Sequence, residues 1–107
     1  MPTVINTTAE WTELMEKSKT TPVVVDFYAD WCGPCKMVAP HFQKLADEHS
    51  DVTFAKVDVD NEDMEDTIGE VGIAAMPTFM VFKDGKKVAT LTGADQAKLT
   101  ALVEDNK

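Results

Sequence analysis

Cysteine is nearly absent. The 107 residues contain two, Cys32 and Cys35, which excludes the dense disulfide framework of small secreted domains. Basic residues are also few. Ten of them face nineteen acidic side chains, a formal charge of -9, and a surface of that sign repels phosphate backbones and anionic lipid. No nucleic-acid or membrane partner is expected. No apolar run approaches the length of a membrane span. The start MPTVINTTAEW has no basic stretch leading into an apolar one, and the end EDNK is no retention signal. These absences point to a cytoplasmic protein.

Linkers, repeats and low-complexity tracts are missing too. What is present is an ordinary globular balance, 44% apolar and 27% charged. The length is near the modal size for one domain, enough to bury about two thirds of the unfolded surface. One domain spanning 1–107 is expected. In a cytoplasm that keeps ordinary thiols reduced, a lone cysteine pair is a poor static crosslink. Redox chemistry, metal binding and plain packing are its alternatives.

Short apolar runs alternate with helical-period segments along the chain. Thr7 and Glu10 form a T-x-x-E capping box, followed by Trp11, Leu14 and Met15 at i, i+3, i+4, which predicts a helix near residues 8–18. PVVVDFYA, 22–29, is a nearly unbroken β-branched and aromatic run, the pattern of a central strand covered on both faces. PCKMVAPHFQKLADEHS then sets Val38, Phe42, Leu45 and Ala46 on one helical stripe. Pro34 suits its first turn, and Pro40 is expected to kink its interior. VTFAKVDV reads as a further strand and DNEDMEDTIG as a short acidic helix capped by Asp60 or Asn61. TFMVFKDGKKVATLT reads as a hairpin turning at Asp84-Gly85, and ADQAKLTALVEDN as a closing helix bearing Leu99, Leu102 and Val103. The order β-α-β-α-β-α-β-β-α implies an α/β fold, with a central mixed sheet of about five strands flanked by about four helices. Active sites of such sheets lie at strand C-terminal ends.

The cysteines of FYADWCGPCKM straddle a helix N-terminus. Its unsatisfied N–H groups and dipole favour a negative charge by about 0.3–1 kcal/mol, and the thiolate is the reactive form of the sulfur. Cys32, just outside the first turn, is placed to benefit. Acidity alone contributes little, because a Brønsted slope of about 0.45 takes back much of what a larger thiolate fraction adds. Proximity contributes more. Cys35, tethered one turn inside, can displace a partner captured by Cys32 at high effective molarity.

Asp26 is a second anomaly. A carboxyl among Val, Phe, Tyr and Ala in a central strand is desolvated and its pKa pushed up, so that it holds a proton near neutrality. Behind Cys35 it could take that thiol's proton and later return it. An edge strand would instead leave Asp26 at the surface. The third element is MPT, 76–78, where a strand-opening Pro77 fits either peptide isomer.

WCGPCK after a VDF strand, followed by MPTF and the LTGA loop, resembles the thioredoxin family over essentially the whole chain. The resemblance implies the thioredoxin fold and protein disulfide reduction. In that scheme Cys32 attacks a substrate disulfide, Cys35 resolves the mixed disulfide with Asp26 as proton acceptor and donor, and a flavoprotein thioredoxin reductase restores the dithiol from NADPH. It implies no bound cofactor and no metal, and a monomer whose partners are thioredoxin reductase and protein disulfides. By the same resemblance Gly33 and Pro34 tune the pair, and Pro77 is cis and faces it. Trp31, Met76, Thr78, Gly93 and Ala94 contact substrate, Met76 through backbone hydrogen bonds of the strand-addition kind. Gly33-Pro34 adds no charge, where a cationic histidine would make the disulfide more oxidising, so a reductant is favoured over an oxidase. Tyr28 stands where bacterial members usually carry Trp, and the extra cysteines of animal cytosolic members are absent.

Three rivals remain. A zinc site would need His41 and His49, but C-x2-C-x5-H-x7-H departs from finger spacing, and both histidines are expected as ordinary helix positions. A redox-independent adaptor or holdase would use the same apolar surface and keep its effect with both cysteines changed to serine. A glutathione-dependent glutaredoxin or an oxidative folding domain fits poorly with the buried acid, Gly33-Pro34 and the missing secretory signal.

Overall fold

The computed structural model describes all 107 residues. Five strands form one sheet: β1 (Thr3–Val4), β2 (Val23–Tyr28), β3 (Thr53–Asp58), β4 (Thr78–Lys83) and β5 (Lys86–Thr92), in the spatial order β1-β3-β2-β4-β5. Four α-helices accompany them: α1 (Thr8–Lys17), α2 (Gly33–Glu48), α3 (Glu65–Val71) and α4 (Gln96–Asn106). β2 lies at the centre, parallel to β3 and antiparallel to β4. That position explains a strand without polar alternation, since Val23 to Phe27 are all buried.

Alternate residues of β2 enter two cores. Val23, Val25 and Phe27 pack with Leu14 of α1 and with Met64, and Ile68 and Val71 of α3 close over them. Val24 packs with Val38, Phe42 and Leu45 of α2 and with Leu99 and Val103 of α4. Because successive strand side chains point to opposite faces, Asp26 shares the α2 side with Val24. Phe42 fixes that core through edge contact with Phe54 and a tilted contact with Phe79.

Thr7 Oγ1 accepts the Glu10 N–H at 3.1 Å, but the Glu10 carboxylate closes the box on the Asn6 N–H, one residue earlier than the T-x-x-E pattern prescribes. The helix α2 runs through Pro40 to Glu48, with Pro40 on its exposed side. The acidic segment divides into a 3-10 turn, Glu62–Met64, and α3, and its cap is Asn61, whose side chain accepts the Asp63 N–H at 3.0 Å. Asp60 is engaged elsewhere. At the hairpin, Asp84 and Gly85 both adopt the left-handed conformation, φ 55° and 74°, the signature of a type I′ turn. The turn is tied to the end of α1, where Ser18 Oγ accepts the Gly85 N–H at 2.8 Å and the Ser18 carbonyl accepts the Asp84 N–H at 2.9 Å.

Candidate functional site

The chain leaves β2 at Tyr28 and enters α2 five residues later, so the first turn of α2 stands at the C-terminal end of the central strand. Cys32 is itself the N-cap. Its backbone is extended (φ -86°, ψ 109°), its Sγ accepts the Cys35 N–H at 3.2 Å and its carbonyl accepts the Lys36 N–H at 3.2 Å. A serine or aspartate oxygen usually fills that place. Here sulfur receives an N–H that would otherwise be orphaned, and Pro34 in the same turn has no N–H to leave unpaired.

Cys32 and Cys35 are joined by a disulfide, their Cα atoms 5.3 Å apart. Both sit in a small apolar cluster with Ala29, against which Tyr28, Val59 and Met76 pack. Cys35 is 3% exposed and Cys32 5%. Beside these buried sulfurs Trp31 is 69% exposed, and Gly33 and Pro34 are exposed as well. The Trp31 indole N–H donates to Asp60 Oδ2 at 2.8 Å, which accounts for the acid that does not cap the 3-10 turn. Met37, 76% exposed, lengthens this apolar strip along α2. Sequence reasoning passed it over, although a methionine off the Val38–Phe42–Leu45 stripe was the available signal.

The Met76–Pro77 peptide is cis and Pro77 is buried. No backbone hydrogen bond within the chain reaches the Met76 N–H or C=O. The Pro77 carbonyl accepts the Gly93 N–H at 2.9 Å, and Gly93 has φ 107°, a conformation open to glycine. That bond holds the loop after β5 against the proline. Ala94, half-buried, turns toward the core under α4. Thr78 is buried, and its hydroxyl donates to the Ala75 carbonyl at 2.6 Å. Its side chain is therefore directed inward, away from the rim.

Asp26 is 1% exposed, and neither carboxylate oxygen has a hydrogen-bond partner. Burial raises its pKa from 3.8 to about 7, against a smaller lowering by the Lys56 charge. An unpaired carboxylate in such a place is costly, and protonation relieves the cost. Lys56 is the register partner of Asp26 on β3, and its ammonium lies 4.5 Å from the centre of the Tyr28 ring. A cavity of about 120 Å³ lies between Cys35, Tyr28 and Lys56. Burial also raises the Tyr28 pKa, with Asp58, Asp30 and Asp26 adding to it.

No three His, Cys, Asp or Glu side chains converge as metal ligands. His41 hydrogen-bonds Thr100 at 2.7 Å and His49 lies against Glu104 and Lys107, so both histidines join α2 to the C-terminal helix. No helix is long and apolar enough to cross a membrane. The arrangement presents a two-sulfur centre at a helix start, a buried acid whose pKa is raised to about 7, and an open apolar rim.

Known proteins resemble the chain in sequence and fold. The sequence pattern of the family described as Thioredoxin matches residues 2–105. Thioredoxin H-type of Chlamydomonas reinhardtii is 50% identical over 103 residues, covering 94% of this chain and 89% of that one. Thioredoxin-1 of Schizosaccharomyces pombe is 48% identical over 84 residues, 78% of this chain and 80% of the other. Among solved structures, the thioredoxin of Fasciola hepatica superposes with a TM-score of 0.91 at 42% identity, covering 98% of this chain and 99% of that one.

Proposed function

The chain belongs to the thioredoxin family of disulfide oxidoreductases, and we propose that it is a protein disulfide reductase acting as an electron carrier. One observation carries the reading: Cys32 Sγ occupies the cap of α2 and accepts the Cys35 N–H, with Cys35 a single turn away.

In the dithiol form that N–H and the helix dipole stabilise a Cys32 thiolate. The thiolate attacks one sulfur of a substrate disulfide. A Cys32–substrate bond forms, the substrate S–S bond breaks, and the first substrate sulfur leaves as a thiolate. Cys35 then gives its proton to Asp26 and attacks Cys32 Sγ. The Cys32–Cys35 disulfide forms, the second substrate sulfur is released, and Asp26 passes the proton to it. Two electrons have moved to the substrate. A carboxyl whose pKa is raised to about 7 by burial suits both halves of this proton transfer. The proximity of Cys35 makes the second step intramolecular and keeps the mixed disulfide short-lived.

The protein holds no cofactor of its own in this scheme. Electrons come from NADPH through a flavoprotein thioredoxin reductase, which reduces the disulfide again. Substrates and reductase dock on Trp31, Gly33 and Pro34, with Pro77, Gly93 and Ala94 across the disulfide from them. The unpartnered Met76 N–H and C=O support strand-like pairing with an extended substrate segment. Thr78 enters this surface through its backbone position next to Pro77 rather than its buried hydroxyl. Residues 1–107 work as one domain and as a monomer. The setting is the cytoplasm, where a pool of reduced thiols suits a reductase.

The test is insulin disulfide reduction coupled to NADPH oxidation with thioredoxin reductase present. NADPH loss that depends on this protein supports the reading. Loss no faster than in its absence overturns it.

A further inference from the structure

We propose that Tyr28 is a positioning residue that holds the Lys56 ammonium off Asp26, leaving that carboxyl free to exchange a proton with Cys35. The proposal rests on the reading of Asp26 as proton acceptor and donor.

Asp26 pairs with Lys56 across β2 and β3, and Tyr28 with Asp58. Asp26 and Tyr28 stand two residues apart on one strand, so both side chains leave the same face, and Lys56 leaves β3 on that face opposite them. Neighbouring strands lie about 4.8 Å apart, a gap that a lysine side chain can span to reach a carboxylate. Yet no salt bridge joins Lys56 to Asp26, and both Asp26 oxygens are without partners. The ammonium lies over the Tyr28 ring instead, 4.5 Å from its centre.

The preference has a physical basis. Pairing with Asp26, which is 1% exposed, would draw the ammonium into the protein and strip its water. Over the ring it gains the attraction of the aromatic face while Lys56 stays half-exposed at the cavity beside Cys35. An Asp26 locked in an ion pair would be a persistently charged, weak base. The ring thus sets how strongly Lys56 acts on the acid.

The other charged and titratable groups at this end of the strands are Asp30 beyond β2, Asp58 on β3, and Cys35 and Lys36 on α2. On its β4 side, Asp26 meets Phe79, which carries no charge. Among these charges it is the Lys56 ammonium that lowers the Asp26 pKa, against the larger effect of burial.

The experiment follows the Asp26 carboxyl by carbon NMR across pH in the disulfide form, where neither cysteine titrates. Tyr28→Phe keeps the ring and leaves the midpoint where the unmodified protein has it. Tyr28→Leu frees Lys56 and lowers the midpoint by about half a pH unit, the scale of a moderate cation–π contact. In a Lys56→Met background the Tyr28→Leu change moves it no further. Tyr28→Met replaces Leu if that variant does not fold. A fall that persists without Lys56 would mark water entry through lost bulk and overturn the proposal. So would an unmoved or raised midpoint in Tyr28→Leu, or a fall in Tyr28→Phe equal to that in Leu. Failure of the Asp26 reading itself shows separately, as unchanged reductase activity in Asp26→Asn.

Discussion

The Trp31 indole N–H donates to Asp60 Oδ2 at 2.8 Å, joining the exposed ring beside the redox pair to the loop after β3. The bond restrains the largest apolar side chain of the rim in one orientation, so a partner need not order it on binding. Ordering a side chain at an interface costs about 0.5–1.5 kcal/mol. Asp60→Ala is expected to raise KM for protein disulfides by a factor of about two to ten, with kcat little changed. Activity on a small disulfide, which barely touches the ring, should stay near that of the unmodified protein. Steady-state kinetics on the two substrate classes checks this.

Asp26 makes folding pH-dependent in a direction opposite to most carboxylates. Its folded pKa of about 7 lies above the unfolded value near 3.8, so the folded state binds the proton more tightly. Stability is fully present below about 4 and is lost as pH rises toward 7 and through it. The full shift corresponds to up to about 4 kcal/mol. Asp26→Asn, which cannot ionise, should gain on the unmodified protein by up to that amount between about pH 3 and pH 8. Denaturant melts at both pH values read the change in the gap and cancel any pH-independent cost of the amide. A constant gap would show that Asp26 ionises in the folded state as freely as in the unfolded one.

The same group gives the resolving step its own pH profile. If Asp26 takes the Cys35 proton, the rate at which Cys35 clears a mixed disulfide rises with pH through about 7 as the carboxyl ionises. In Asp26→Asn that inflection is expected to vanish, while capture of substrate by Cys32 keeps its own profile. Stopped-flow measurement of product release from a preformed mixed disulfide separates the two steps.

Much of this was legible in the sequence. The run Val23 to Tyr28 identified the central strand because a strand covered on both faces has no polar alternation to confuse it. Asp84-Gly85 identified the hairpin because few residue pairs tolerate two positive φ values in succession. The cysteine spacing and its strand-to-helix setting were local features, and so was the oddness of an acid in an apolar run. Contacts between distant segments were hidden. Asp60 and Asn61 are equally good caps by chemistry, and the choice between them turns on Trp31, 29 residues away. Thr78 reads as a surface partner until the Ala75 carbonyl is found beneath it. The association of Tyr28, Lys56 and Asp26 needs the β2–β3 register, which no local pattern encodes.

With Cys35→Ser, the account predicts that a disulfide substrate becomes trapped on Cys32 and accumulates as one stable covalent adduct, seen by intact mass and assigned to Cys32 by peptide mapping. The unmodified protein under the same conditions should show almost none, because Cys35 expels it. An adduct that fails to form, forms elsewhere, or builds up equally with Cys35 in place would contradict the division of labour between the two sulfurs.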